Sequence, residues 1–219
     1  MLKMTKQKTD ITLVCFDLDD TLLLQNSWVK LNIGLGVTEK EDAWYYQQYY
    51  QGAITYDEWQ ETLLQLYQRH GPVPKAKIMR ILQDYVLHPD AEMVVQILQE
   101  RGYIPVLISG SFSVLVESVA LKLAIQDYFG ATTFIFNADE MLEDIEHHGD
   151  ESAAKLHFLQ QVVKSYNLNI EQCVCIADGA NDEAMFRATG KGITWSDSPL
   201  RDIAWREIKA LTDVLDLLR

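Results

Sequence analysis

The sequence predicts a doubly wound α/β fold, a Rossmann-like parallel sheet into which a bundle of helices is inserted. Three short apolar runs carry the first part of that expectation. Residues 11–16, 104–108 and 173–177 are rich in β-branched residues and almost continuously apolar, as strands buried on both faces are. Helical periods separate them, and strand–helix alternation of this kind builds a parallel sheet. Residues 25–88 break the alternation, contain no convincing strand and show helical spacing instead. The α/β core is therefore expected over residues 1–24 and 89–219, with the helical insert over 25–88.

Taken in order, the first strand runs into Asp17. Within the insert, Trp59, Leu63, Leu66 and Tyr67 fit one helical face and Ile78, Ile81, Leu82 and Tyr85 another, with Gly52, Gly71-Pro72 and Pro74 as punctuation. His88-Pro89-Asp90 returns the chain to the core, with Asp90 placed to cap a helix marked by Val94, Ile97 and Leu98. The second strand ends at Ser109, and Ser109-Gly110-Ser111 is read as opening the helix of Leu115, Val116, Val119, Ala120 and Leu123. Residues 134–146 read as a hairpin or an irregular excursion. Leu156, Leu159, Val163 and Tyr166 mark a helix before the third strand, which ends at Asp178. Gly192, Ile193 and Thr194 suggest one more short strand, and Leu211, Val214, Leu215 and Leu218 a final helix on the core edge.

Composition narrows the partners. The 219 residues carry a formal net charge of −13, which repels nucleic acid and anionic lipid and excludes both as partners. Lys3, Lys6 and Lys8 near the start are followed by no apolar run of the kind a signal peptide has, and no segment approaches the ~20 apolar residues that span a bilayer. Cys15, Cys173 and Cys175 sit inside apolar runs as packing residues and form no disulfide framework. The expectation is a cytoplasmic, reduced protein.

In doubly wound sheets ligands bind at the carboxyl ends of the strands. Asp17, Ser109 and Asp178 each end a strand and so become expected neighbours. Asp17-Leu18-Asp19-Asp20-Thr21 puts two carboxylates two residues apart where the chain must turn. Alone it could equally be a solvated acidic turn. Asp178-Gly179-Ala180-Asn181-Asp182 adds two more carboxylates, and alone it could be a turn feeding a helix. Together, four crowded carboxylates repel one another unless a cation holds them, and hard oxygen ligands suit Mg²⁺. Ser109-Gly110 at a helix start would offer backbone N–H groups to an anion, although an ordinary Ser cap fits as well. Lys155 taken alone is a solvated surface lysine.

The set 17–21, Ser109-Gly110, Lys155 and 178–182 resembles the haloacid dehalogenase superfamily, in the branch that includes phosphoserine phosphatase, with a helical cap domain inserted after the first motif. The resemblance implies a magnesium-dependent phosphatase that acts on a small soluble phosphomonoester. Asp17 would be the nucleophile that becomes an aspartyl phosphate, Asp19 the general acid and base, and Lys155 the cation steadying the charge. Ser109, Gly110 and Asn181 would grip phosphate or substrate. Asp17, Asp178 and the Asp19 carbonyl would ligate Mg²⁺, with Asp182 holding a metal-bound water, and Thr21 would be a structural support. Asp19 also suits an alkoxide leaving group, which needs a proton, rather than halide, which does not.

The same resemblance leads one to expect an acidic residue just after the first motif and an arginine in the cap. Asn26 and Ser27 stand in the first place and Leu63 in the second, with no arginine before Arg69. A substrate other than phosphoserine is therefore expected. Alternatives are phosphoserine phosphatase proper, a phosphate-binding protein without turnover, or a phosphotransfer protein using the same site. Ser111 and Ala177 replace glycines of the resemblance and are small enough to be tolerated. The aromatic patch of Trp44, Tyr45, Tyr46, Tyr49, Tyr50 and Tyr56 is read as packing of the bundle or a homodimer contact before a substrate wall, so the assembly is expected to be a monomer or homodimer. His147-His148 is read as an exposed hairpin.

Overall fold

The computed structural model describes residues 10–219; the lysines of the first nine residues and the side chain of Tyr50 lie outside the described residues. Its centre is a seven-stranded sheet in the order β4-β3-β2-β1-β5-β6-β7. The strands are β1 Leu13–Phe16, β2 Ile104–Phe112, β3 Asp127–Phe136, β4 Leu142–His147, β5 Cys173–Ile176, β6 Gly192–Trp195 and β7 Arg206–Ile208. All neighbours are parallel except β3 and β4.

The continuous apolar strands are explained by cover on both faces. In β1, Val14 and Phe16 pack with Val94, Val95 and Leu98 of helix α5 (Ala91–Glu100, numbered after the four helices of the insert) and with Leu115 and Val119 of α6 (Ser113–Lys122). Leu13 and Cys15 point the other way, into a cluster with Phe158, Leu159 and Val162 of α7 (Glu151–Ser165) and Met185 and Phe186 of α8 (Glu183–Thr189). The three cysteines are free and buried in this second cluster. Alternation of period two thus feeds two cores at once.

The insert contains four helices, α1 Ser27–Leu35, α2 Glu39–Tyr50, α3 Tyr56–Gln68 and α4 Lys75–Gln83. Periodicity revealed α3 and α4, whose buried faces are Leu63 with Tyr67 and Ile78 with Leu82. It missed α1 and α2, because α2 is too polar to show an apolar stripe; its start is set by a capping box between Thr38 and Glu41. An antiparallel bridge between Leu23 and Leu87 closes the stem where the insert leaves and rejoins the core.

Several expectations need correction. Ser109-Gly110-Ser111 does not open a helix. The strand continues through Phe112 and α6 begins at Ser113, because β3 holds the segment extended: Thr132 Oγ1 donates to the Gly110 carbonyl at 3.0 Å, across a register shift between Ser109 and Phe112. The excursion of 134–146 is a hairpin, but its first strand starts at Asp127 and pairs parallel with β2 before turning antiparallel into β4. Asp90 precedes α5 without a side-chain cap bond; its N–H donates instead to His88 Nδ1 at 3.2 Å. The last helix is a 3₁₀ turn, Leu211–Asp213, followed by the single turn α9 Val214–Leu217. No helix among the described residues is long and apolar enough to cross a membrane.

Gly192 shows how tightly this frame is built. A Cβ there would lie 2.0 Å from Cδ2 of the buried Phe186 ring. Overpacking of this kind costs about 1–3 kcal/mol, so Gly192→Ala is expected to lower the stability by that amount in urea unfolding; an unchanged midpoint would contradict the packing.

Candidate active site

Parallel register assembles the site. Phe16 pairs with Leu107 on one side and Ile176 on the other, so the residues that follow, Asp17, Ser109 and Asp178, emerge at one edge of the sheet. The chain turns after β1 with Leu18 driven fully into the core and Asp20 in the left-handed region at φ 52°. Asp17 and Asp19 are thereby left on the same side, as the spacing predicted.

Lys155 is the hinge of the arrangement. It stands on the second turn of α7 with no exposure, and its Nζ donates to Asp17 Oδ1 at 2.7 Å and to Asp182 Oδ1 at 2.8 Å. Asp182 is also fully buried, and its Oδ2 has no hydrogen-bond partner. Asp17, Asp178 and Asp182 each offer a carboxylate oxygen within 4.8 Å of the others. Thr21 Oγ1 reaches Asp178 Oδ1 only at 3.4 Å, while Ser198 Oγ donates to the Asp178 carbonyl at 2.7 Å.

The electrostatics follow from one ammonium facing several acids. Burial works against the charge of Lys155, but Asp17 and Asp182 outweigh it and hold the ammonium protonated beyond the ordinary lysine range. Asp182 is pushed up to about 8, by burial first and then by Asp17 and Asp178, against the pull of Lys155. Burial and Asp17 push Asp178 up to about 7. All three move up, because burial disfavours the carboxylates and a single lysine cannot neutralise three of them. A divalent cation would remove that excess, and the hard donor set together with the orphaned Asp182 Oδ2 fits one.

Asp19 is separate. Ser27, the first residue of α1, donates to it twice, N to Oδ1 at 3.0 Å and Oγ to Oδ2 at 2.7 Å. Burial still prevails over those bonds and raises the Asp19 carboxyl to about 7. Ser27 Oγ also lies 2.6 Å from Ser111 Oγ, which ties the insert to β2.

Sequence reasoning missed Glu151. It stands one helical turn before Lys155, and that i, i+4 spacing on a helix already aimed at the site was the available signal. Its carboxylate lies so close over Gly110 that a Cβ there would sit 2.7 Å from Glu151 Cδ. Asn181 Nδ2 donates to Glu151 Oε2 at 2.8 Å, and the Tyr56 hydroxyl of α3 donates to Oε1 at 3.2 Å. Ser109, Gly110 and Asn181 therefore all line one cavity of about 570 Å³ with Asp17, Asp19 and Asp178. Tyr46 and Tyr49 of the aromatic patch line it too, beside Trp59, while the patch also packs within the bundle: Tyr49 stacks on Trp59 and meets Tyr56 edge-on. His147 is also corrected: it ends β4, stacks edge-on against Tyr56 at 4.7 Å and pairs with Asp57 at 3.4 Å, while His148 is exposed.

The model of the haloacid dehalogenase-like hydrolase family matches residues 11–190, which include Asp17, Asp19, Ser109, Glu151, Lys155, Asp178 and Asp182. The chain belongs to the haloacid dehalogenase-like hydrolases. It is 26% identical over 188 residues to the phosphoserine phosphatase of Methanocaldococcus jannaschii, covering 86% of this chain and 87% of that protein. It is also 26% identical to the phosphoserine phosphatase of Archaeoglobus fulgidus, spanning 88% of itself but only 55% of that relative. A solved phospho-aspartyl intermediate analogue of phosphoserine phosphatase superposes with a TM-score of 0.81 at 25% identity, covering 95% of this chain and 99% of the other. The haloacid dehalogenase-like chain is thus a phosphoric monoester hydrolase of the phosphoserine phosphatase-like branch.

Removing the lysine exposes its structural share. Lys155→Met leaves Asp17 and Asp182 buried without a counter-charge, and breaking a buried pair in this way costs about 3–5 kcal/mol. Urea unfolding in EDTA is expected to show that loss; a variant as stable as the parent would mean the carboxylates are neutral without it.

Proposed function

We propose that this hydrolase releases phosphate from a small phosphomonoester through an aspartyl phosphate on Asp17, with Mg²⁺ as its cation. The observation that carries the reading is the position of Asp17, with Lys155 Nζ 2.7 Å from one oxygen and Asp178 and Asp182 close by. An Asp17 oxygen forms a bond to phosphorus as the bond from phosphorus to the ester oxygen breaks. Asp19 in its acid form, favoured by its burial, gives the departing alkoxide a proton. The Asp19 carboxylate then takes a proton from water, whose oxygen bonds to phosphorus as the bond to Asp17 breaks. Inorganic phosphate leaves and both carboxyl groups are restored. Lys155 offsets the repulsion between the Asp17 carboxylate and the phosphate dianion.

Asp17, Asp178 and Asp182, with the Asp19 carbonyl, would hold the Mg²⁺, which when bound supplies positive charge for the phosphoryl oxygens. Ser109, Gly110 and Asn181 would bind the phosphate from the other side. Residues 25–88 would act as a cap that shelters the reaction, joined to the core through Tyr56 and Glu151.

Two readings of the substrate have support. The names of the relatives favour phosphoserine. The cavity favours an ester without a carboxylate: Asn26 on its wall is uncharged, Leu63 is buried in the core away from the lining, and Lys155 is the only basic residue among the described ones lining it. Loss of a buried charge contact costs about 2–5 kcal/mol of recognition, so the second reading is preferred.

Phosphate release from a panel of small phosphomonoesters tests the mechanism. Turnover is expected with Mg²⁺, is abolished by EDTA, and falls by about 10³-fold or more in Asp17→Asn. Turnover that survives in the variant would remove Asp17 from the reaction.

A further inference from the structure

The cavity above Asp17 has a chemical bias of its own. On the insert side it is walled by aromatic rings: Trp28 from α1, Tyr46 and Tyr49 from α2, and Trp59 from α3. Tyr49 and Trp59 stack with centroids 5.1 Å apart and planes inclined by 23°, and Tyr46 meets Trp59 edge-on at 6.0 Å. Trp59 Nε1 is buried there without a hydrogen-bond partner.

Carboxylates that the proposed chemistry does not use complete the wall. Asp42, Asp150 and Glu151 all line the same cavity. Asp42 and Asp150 are tied to their own surroundings, receiving Asn32 Nδ2 at 2.6 Å and the Ala153 N–H at 3.0 Å. Glu151 is held by neutral donors, Asn181 Nδ2 and the Tyr56 hydroxyl, so its negative charge is positioned and not cancelled. Lys155, the single basic residue lining the space among the described ones, is already shared between Asp17 and Asp182.

An anionic leaving group would meet an excess of carboxylates, with the one lining lysine already engaged. An alkylammonium group would find two kinds of group that stabilise it, carboxylates and aromatic rings. Glu151 lies over Gly110, beside the residues proposed to bind phosphate, so its reach from phosphorus is that of a short chain.

Resting on the hydrolytic reading above, we propose that the substrate is a short aminoalkyl phosphomonoester without a carboxylate, its ammonium held between Glu151 and the aromatic wall of Tyr49 and Trp59.

The full chain with Mg²⁺ would be assayed on O-phosphoethanolamine, phosphocholine, 2-hydroxyethyl phosphate and phosphoserine. The amine esters are expected to exceed the neutral 2-hydroxyethyl ester in kcat/KM by at least about tenfold, and phosphoserine to fall below phosphoethanolamine. Glu151→Gln should shrink the amine-to-neutral ratio by about tenfold, mostly through KM, and Trp59→Leu should shrink it for phosphocholine. A ratio is insensitive to any loss of folded enzyme. Binding of phosphoethanolamine and 2-hydroxyethyl phosphate to Asp17→Asn, followed by calorimetry, reads the same preference without turnover. Equal kcat/KM and equal binding for the amine and neutral esters, or a preference for phosphoserine, would overturn the inference and leave the hydrolase intact. Turnover of no ester, with the amine ester still bound about tenfold more tightly, would sink the hydrolytic reading and uphold the ligand class. A ratio unmoved in Glu151→Gln would overturn the role of that residue.

Discussion

The ammonium of Lys155 organises the rest of the site. Parallel register delivers Asp17 and Asp178 to one sheet edge, and the turn after β5 adds Asp182, so the backbone alone would crowd three acids together. One buried cation bridging Asp17 and Asp182 holds this cluster in place but leaves it short of positive charge. The residual negative charge suits the cluster to a divalent cation, and the raised carboxyl groups of Asp178 and Asp182 express the same shortage. Structure and chemistry thus rest on a single imbalance: too few cations for the acids that the sheet brings together.

The insert shapes what surrounds that imbalance without entering it. Ser27 sets the surroundings of Asp19, and its contact with Ser111 keeps α1 seated on β2. Tyr56 reaches across to Glu151, which in turn receives Asn181, so a chain of hydrogen bonds runs from the insert to the proposed phosphate-binding groups. The helices that supply these polar links also supply the aromatic wall, from Trp28, Tyr49 and Trp59. The groups proposed to react stand just past the strand ends and on α7, whereas the aromatic part of the opposite wall stands on the insert. One scaffold can then keep its chemistry while the wall accommodates a different alcohol.

Much of this was legible in the chain. The three apolar runs became β1, β2 and β5, and their polar ends converged as strand-end logic requires. Lys155 was not legible from composition or period, since a lysine near a helix start reads as solvated; only its place in a set of motifs singled it out. Glu151 escaped for the related reason that an acid in the first turn of a helix is ordinary. The strand β3 escaped because its early residues, from Asp127 to Gly130, are mixed in polarity and half-buried.

The sequence by itself determined the layered α/β architecture, the inserted helices and the acids at the strand ends, because burial on two faces and helical period are local patterns. Tertiary structure alone decided that β2 runs on past Gly110, that Glu151 lies over it and that Tyr49 and Trp59 line the cavity. Those outcomes depend on contacts between segments far apart in the chain, such as Thr132 with Gly110 and Tyr56 with Glu151, and no local pattern encodes them.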